Sequence, residues 1–192
     1  MKNLSIIISL LLVVVYFSCG QKSKPIPRTF KTSADYKKGE SYLEKEMIDS
    51  AFYFFNKTAN TSKDSLEIAM AHNMMAVMQT DAGDYFGSQE SLLTSLKYLD
   101  KKDSLHHYCL LSNYNELGLT SLHLRNYDTA LSYFDQTLQL VSDTNASVTA
   151  LNNKALVYQS KKEYDRALDI YQSIVGLSKN YPRTYARVLT NF

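Results

Sequence analysis

The sequence predicts an all-α protein, built as an α-solenoid of about four helix hairpins followed by a terminal helix. Three observations support this fold class. One pattern of small and aromatic residues recurs along most of the chain, apolar residues recur at helical spacing, and the 192 residues include only 6 Gly and 3 Pro. Few glycines and prolines argue against sandwiches and barrels, whose many turns need them. A recurring pattern instead indicates stacked structural repeats.

The first 18 residues are arranged as a secretory signal. A short basic start is followed by an almost continuously apolar run from Leu4 to Phe17 and by the small residue Ser18. The apolar run is shorter than the ~20 residues that cross a bilayer as a helix. A signal peptide over residues 1–18 is therefore favoured over a transmembrane anchor.

Cys19 directly follows this segment. Ser18 and Cys19 after an apolar run resemble the lipobox of bacterial lipoproteins, in which the cysteine thiol is alkylated by a diacylglyceryl group and the new amino terminus is acylated. Tyr16 stands where that family usually has Leu, a relaxed form similar to the lipoboxes of Bacteroidota. The resemblance implies lipidation at Cys19 and a membrane-anchored protein of the cell envelope. A plain signal peptide with an incidental cysteine is the alternative.

Residues 19–32 form a basic segment with four Lys or Arg residues, two prolines and no acidic residue. This composition predicts an extended tether, whose cations can contact anionic lipid head groups. Signals that send Bacteroidota lipoproteins to the outer cell face are acidic near the cysteine, and this segment is not. We therefore expect the protein to face the periplasm.

Residues 33–192 contain several copies of one pattern. One column of the pattern consists of small residues, which recur at offsets of 37, 42 and 37 residues: Gly39, Ala76, Gly118 and Ala155. Large side chains recur with the same offsets, and two helical stretches fit within each copy. These large residues are Phe55, Leu92, Phe134 and Tyr171.

These columns resemble the tetratricopeptide repeat, whose pattern of an aromatic residue, Leu-Gly, a second aromatic and Ala-x-x-x-Phe spans ~34 residues. The resemblance covers roughly Ser33 to Phe192 and implies a right-handed solenoid. The longer spacing and the absence of the usual Trp depart from the family, and another type of helical repeat is the alternative. The expected domain 33–192 has repeats near 33–62, 65–101, 104–142 and 146–180, with a partial fifth at 183–192.

Polar residues mark the expected helix starts. Asp64, Asp103 and Asp143 precede the first helix of a pair, where their side chains can accept hydrogen bonds from free N–H groups. Acidic residues also open the second helices, near the positive end of the helix dipole. The predicted helices are 33–45, 48–60, 65–81, 85–99, 104–124, 127–141, 146–161, 164–178 and 183–192.

The last residues carry an apolar stripe at helical spacing, from Tyr185 to Phe192. It resembles the opening half of another first helix. Two interpretations compete, because the stripe either caps the array or belongs to a fifth repeat within which the chain ends. We favour the second, because a cap should present a polar outer face.

The sequence contains no motif of an enzyme or a metal site. His106 and His107 are adjacent, so on a helix they point about 100° apart and cannot readily hold one ion. Cys109 lies in an apolar stretch and is expected to be a buried, structural thiol. A net charge of +2 provides no basic field for nucleic acid. We therefore expect no enzymatic activity, cofactor, metal or nucleic-acid partner.

First helices line the concave face of such an array. One column expected there reads Asn73, Asn115 and Asn152. An amide offers donors and an acceptor, which suits the backbone of an extended peptide. The competing interpretation, which we favour for these three amides, is that they join neighbouring helices. The other candidate groove residues are mixed and mainly apolar: Tyr36, Glu40, Val77, Leu119, Leu122 and Leu156.

We therefore expect a lipid-anchored scaffold that binds a protein or peptide through its concave groove. The basic residues with which family members clamp a peptide's C-terminal carboxylate have no counterpart here. A second hypothesis follows from another resemblance. Tetratricopeptide arrays behind N-terminal signals resemble the sensor halves of Bacteroidota transcription regulators and histidine kinases, so the chain would be the sensor region of a signalling regulator.

Overall fold

The computed structural model describes residues 31–191, and all regular secondary structure in that range is helical. The predicted signal peptide, Cys19 and most of the predicted tether lie outside the described residues. The predicted all-α class is confirmed. The helices are α1 (Ala34–Glu44), α2 (Ile48–Thr61), α3 (Ser65–Asp81), α4 (Tyr85–Leu96), α5 (His107–His123), α6 (Tyr127–Leu140), α7 (Thr144–Ser160), α8 (Tyr164–Ser178) and α9 (Pro182–Asn191).

Consecutive helices pack as four hairpins, α1–α2, α3–α4, α5–α6 and α7–α8, and α9 packs on the last of them. Each second helix also contacts the first helix of the next hairpin. The first helices touch one another in turn, α3 with α5, α5 with α7 and α7 with α9. Contacts restricted to neighbouring units define a solenoid, and the predicted α-solenoid of helix hairpins is confirmed.

The column of small residues lets the two helices of a hairpin approach closely. A Cβ atom added to Gly118 would clash with the Phe134 ring, and one added to Gly39 would lie 2.8 Å from the Phe55 ring. Both rings are fully buried. Gly in a helix costs about 1 kcal/mol relative to Ala, and this close ring packing accounts for the glycines.

The four hairpin turns share one backbone motif. Glu46, Gly83, Arg125 and Lys162 have φ angles of 58°, 80°, 60° and 64°, in the left-handed region. In the third turn the Asn126 N–H donates to the Ser121 carbonyl at 2.8 Å and the Arg125 N–H donates to the Leu122 carbonyl at 2.9 Å. This pair of bonds is the Schellman motif, which satisfies the last free carbonyls of a helix.

The offset of 42 residues originates in one linker. Three residues separate α2 from α3 and α6 from α7, whereas ten residues, 97–106, separate α4 from α5. Helix α4 has 12 residues where α2 and α6 have 14. This linker is seven residues longer than the others, and helix α4 is two residues shorter than α2 and α6. The net excess of five residues is the difference between the offsets of 42 and 37. In this linker the buried His106 accepts the Asp100 N–H through Nδ1 at 2.8 Å.

The predicted caps at Asp64 and Asp143 are confirmed, because each side chain accepts a backbone N–H of the helix that follows. The predicted cap at Asp103 is wrong. Helix α5 begins only at His107 and has no side-chain cap, and Asp103 instead accepts the Leu105 N–H inside the linker. The predicted helices 85–99 and 104–124 both extended into this linker.

Candidate binding surface

Polar side chains bridge the first helices of neighbouring hairpins. Ser112 on α5 donates to Asn73 on α3 at 3.1 Å. Asn153 on α7 donates to Asn115 on α5 at 2.9 Å, and Asn191 on α9 donates to Asn152 on α7 at 3.1 Å. We call this set, together with Glu116 beside Asn115, the amide row. It comprises Asn73, Ser112, Asn115, Glu116, Asn152, Asn153 and Asn191.

The three predicted groove asparagines all lie in the amide row, but their environments differ. Asn73 and Asn152 are buried, and the Nδ2 atom of each has no hydrogen-bond partner in the part of the chain that the structure describes. Asn115 is half-buried, and its Nδ2 makes only a long contact of 3.5 Å with Oε1 of Glu116. Asn115 therefore keeps hydrogen-bonding capacity close to solvent, whereas the free donors of Asn73 and Asn152 are covered.

The other predicted groove residues also divide into two groups. Tyr36 is buried, with its ring edge-to-face on Phe55 at 5.2 Å, and burial raises the pKa of its hydroxyl. Val77, Leu119 and Leu156 are half-buried on α3, α5 and α7. These three residues occupy equivalent positions of the repeat, each one helical turn after an asparagine of the asparagine column. They form the apolar part of this surface.

Glu116 is the residue of this surface that the sequence interpretation missed. Burial is the main cause that raises the pKa of its carboxyl group to about 7; the hydrogen bond from the Asn115 amide opposes this rise and the nearby Asp81 adds to it. Within the part of the chain that the structure describes, Glu116 forms no ion pair with a lysine, arginine or histidine. The carboxylate is thus partly desolvated without a compensating cation.

A repeat comparison could have drawn attention to Glu116. It lies 37 residues before Asn153, and Asn73 lies 42 residues before Asn115. Glu116 and Asn73 therefore hold the positions that Asn153 and Asn115 hold one hairpin later. A carboxylate stands where the next copy of the pattern has an amide.

Other features of the described residues do not form a competing site. They contain no cluster of three His, Cys, Asp or Glu side chains that could hold a metal ion. None of the helices from α1 to α9 is both long and apolar enough to cross a membrane. A depression of about 360 Å³ lies at the α5–α6 turn, lined by residues 125–129 and Lys161. Its lysine already pairs with Asp128 at 3.1 Å.

Comparison with known proteins agrees with this architecture. The tetratricopeptide repeat family model matches residues 109–180, and no curated protein matches the chain. The crystal structure of aspartyl phosphate phosphatase F from Bacillus subtilis is similar with a TM-score of 0.65 and 18% identity, over 76% of this chain and 39% of that one. The crystal structure of MamA is similar with a TM-score of 0.60 and 18% identity, over 84% of each chain.

The chain thus spans well under half the length of the phosphatase. At 18% identity these two likenesses establish the fold alone. The tetratricopeptide repeat match at residues 109–180 falls on hairpins α5–α6 and α7–α8, in agreement with the solenoid fold.

Proposed function

We propose that the protein is a non-catalytic scaffold that binds an extended peptide segment of a protein partner across the amide row and the apolar column beside it. The carrying observation is Asn115, a half-buried amide whose N–H₂ group has only a 3.5 Å contact with residues 31–191. Leu119 follows it by one helical turn and is half-buried as well. An amide with remaining hydrogen-bonding capacity next to apolar surface suits a peptide carbonyl and its flanking side chain.

The fold supports this role, because stacked hairpins present first helices as one extended surface. A peptide lying across α3, α5 and α7 would meet one half-buried aliphatic residue from each helix. Val77, Leu119 and Leu156 supply these contacts, and the polar residues beside them would fix the register of the peptide.

The test is a binding titration with the full-length chain. Peptides that bind it are selected from a random dodecapeptide display library, and their Kd is measured on the wild type and on Asn115→Ala. Loss of one hydrogen bond should weaken binding about three- to tenfold. Gln172→Ala, at an exposed position of the outer helix α8, is the matched control and should bind normally. Equal affinity of wild type and Asn115→Ala would move the site elsewhere.

We also propose that the scaffold is anchored to a membrane of the cell envelope through lipid on Cys19. Several acyl chains give stable anchoring, since each buried CH₂ contributes ~0.8 kcal/mol. Cys19→Ala should move the protein from the membrane fraction to the soluble fraction of disrupted cells. A Cys19→Ala variant that still sediments with membranes would rule out anchoring at this cysteine.

A further inference from the structure

Glu116 is placed unusually for a charged side chain. It is half-buried on α5, between the amide row and the apolar column, and it has no ion-pair partner among residues 31–191. Burying a carboxylate without a counter-charge is unfavourable. At the corresponding point of α7 the chain has Asn153, which is paired at 2.9 Å. The equivalent positions of α1, α3 and α7 hold Lys37, Met74 and Asn153, so the carboxylate occurs only in α5.

Carboxylates outnumber lysines at the positions of the first helices along and beside the proposed peptide path. Four sets of equivalent repeat positions flank the proposed peptide path. They are the positions that correspond, in each first helix, to Asn115, to Glu116, to Val77 and to Asp81. Over α1, α3, α5 and α7 they contain four carboxylates and one lysine. The carboxylates are Glu40, Glu44, Asp81 and Glu116, and the lysine is Lys37.

These acids act on one another. Burial and the nearby Glu44 raise the pKa of Glu40, with Lys37 opposing. Asp81 has the same direction of effect on Glu116. A surface of this charge attracts a cationic segment and repels an anionic one.

We propose that Glu116 binds a cationic group of the segment held on this surface, a lysine or arginine side chain or an amino terminus. This inference rests on the proposed function and specifies the chemistry of the partner. The cation donates charge-assisted hydrogen bonds to the Glu116 carboxylate, which are stronger than neutral ones. Asn115 then donates to a backbone carbonyl next to that residue. The amide sets the position of the chain, and the carboxylate selects the side chain.

The experiment uses the peptides selected on the full-length chain. Each is resynthesised with its lysine or arginine replaced by norleucine, which keeps the aliphatic stem and removes the charge. Kd values are measured on the wild type, on Glu116→Gln and on Asp169→Asn. Asp169 is exposed on the outer helix α8, so its variant makes the same change in net charge away from the proposed site.

We expect basic residues to be enriched among the selected peptides. Norleucine should weaken binding to the wild type by about tenfold or more, and should have little effect on binding to Glu116→Gln. Asp169→Asn should behave as the wild type. Glu116→Gln keeps the side-chain shape and removes a buried charge, so its folding is not at risk.

Two outcomes are contrary and distinguishable. Peptides without basic enrichment, which bind wild type and Glu116→Gln equally but lose affinity on Asn115→Ala, would overturn this inference and leave the proposed function standing. Peptides that are insensitive to both substitutions, or a selection that yields no binders, would overturn both.

Discussion

Two neighbouring junctions of the array are equivalent in position but differ in chemistry. The second junction joins hairpin α3–α4 to hairpin α5–α6, and the third joins hairpin α5–α6 to hairpin α7–α8. In the third junction Asn153 meets Asn115, and Lys154 pairs with Asp135 at 2.6 Å. In the second, Glu116 stands in the position of Asn153 and forms no ion pair with the described residues. The third junction pairs the residue at this position with the preceding first helix, whereas the second leaves a carboxylate without a counter-charge among the described residues.

The outer sides of the two junctions differ as well. Asp135 on α6 is paired with Lys154 of α7, and Asp128 is paired with Lys161, the residue that follows α7. Forty-two residues earlier, α4 has Phe86 and Leu93, which are 75% and 43% exposed. The ten-residue linker 97–106 also belongs to the second junction. One copy of the repeat thus departs from the others at several points, and those departures indicate where to look for function.

The largest expected change in the free energy of unfolding comes from replacing Glu116 at the second junction, and it depends on pH. The pKa of Glu116 is about 7 in the folded chain against 4.5 for an unperturbed glutamate. The folded state therefore binds the extra proton between these values, and the free energy of unfolding falls as the pH rises from 4.5 through 7. Glu116→Gln should remove this loss and be about 2–3 kcal/mol more stable than the wild type above pH 7.

Urea titrations of both proteins at several pH values measure this difference. The two free energies of unfolding should converge below the unfolded-state pKa, where both states of the wild type are protonated. A constant offset between wild type and Glu116→Gln across the range would contradict the desolvation of Glu116.

A smaller change in the free energy of unfolding, independent of pH, is expected from a substitution at the third junction. Asn153→Ala removes the donor to Asn115 Oδ1 and should lower the free energy of unfolding by about 1–2 kcal/mol. The loss should be the same at acidic and neutral pH, because no titrating group is involved. A pH-dependent loss comparable to that of Glu116 would show that the two junctions do not differ as described.

The smallest effect concerns the surface ion pair of the third junction. Asp135→Asn keeps the side-chain shape and weakens the contact with Lys154, so it should cost about 0.5 kcal/mol at low salt. Added salt should abolish the difference, because exposed charges are screened. Thermal unfolding at two salt concentrations measures it, and a loss that persists at high salt would assign the contact a larger role.

Much of the fold could be predicted from sequence because hairpin helices bury one apolar face each. The predicted helix 164–178 coincides with α8, and 48–60 falls one residue short of α2. The prediction failed in the linker 97–106, because Leu99 and Leu105 extend the apolar spacing into non-helical chain. The sequence also did not predict the left-handed backbone at Glu46, Arg125 and Lys162. Glycine often indicates a positive φ, whereas these residue types do not.

The candidate binding surface could be predicted in part. The asparagine column is visible as a repeat, and the structure places all three members in the amide row. Their partners were not predictable, because the rotation between hairpins decides which of two adjacent polar residues meets the next helix. Asn153 and Glu116 each lie one position beyond a predicted asparagine, and only packing distinguishes them from ordinary surface residues.

The central claim is that the surface around Asn115 and Glu116 receives the partner. NMR titration of the full-length chain with a selected lysine-containing peptide tests it most directly, by following the Asn115 side-chain N–H₂ and Glu116 carboxyl resonances. We predict saturable shifts of both, with smaller shifts at Val77 and Leu156. Shifts confined to the outer helices or to the α5–α6 turn, with Asn115 and Glu116 unmoved, would contradict the claim.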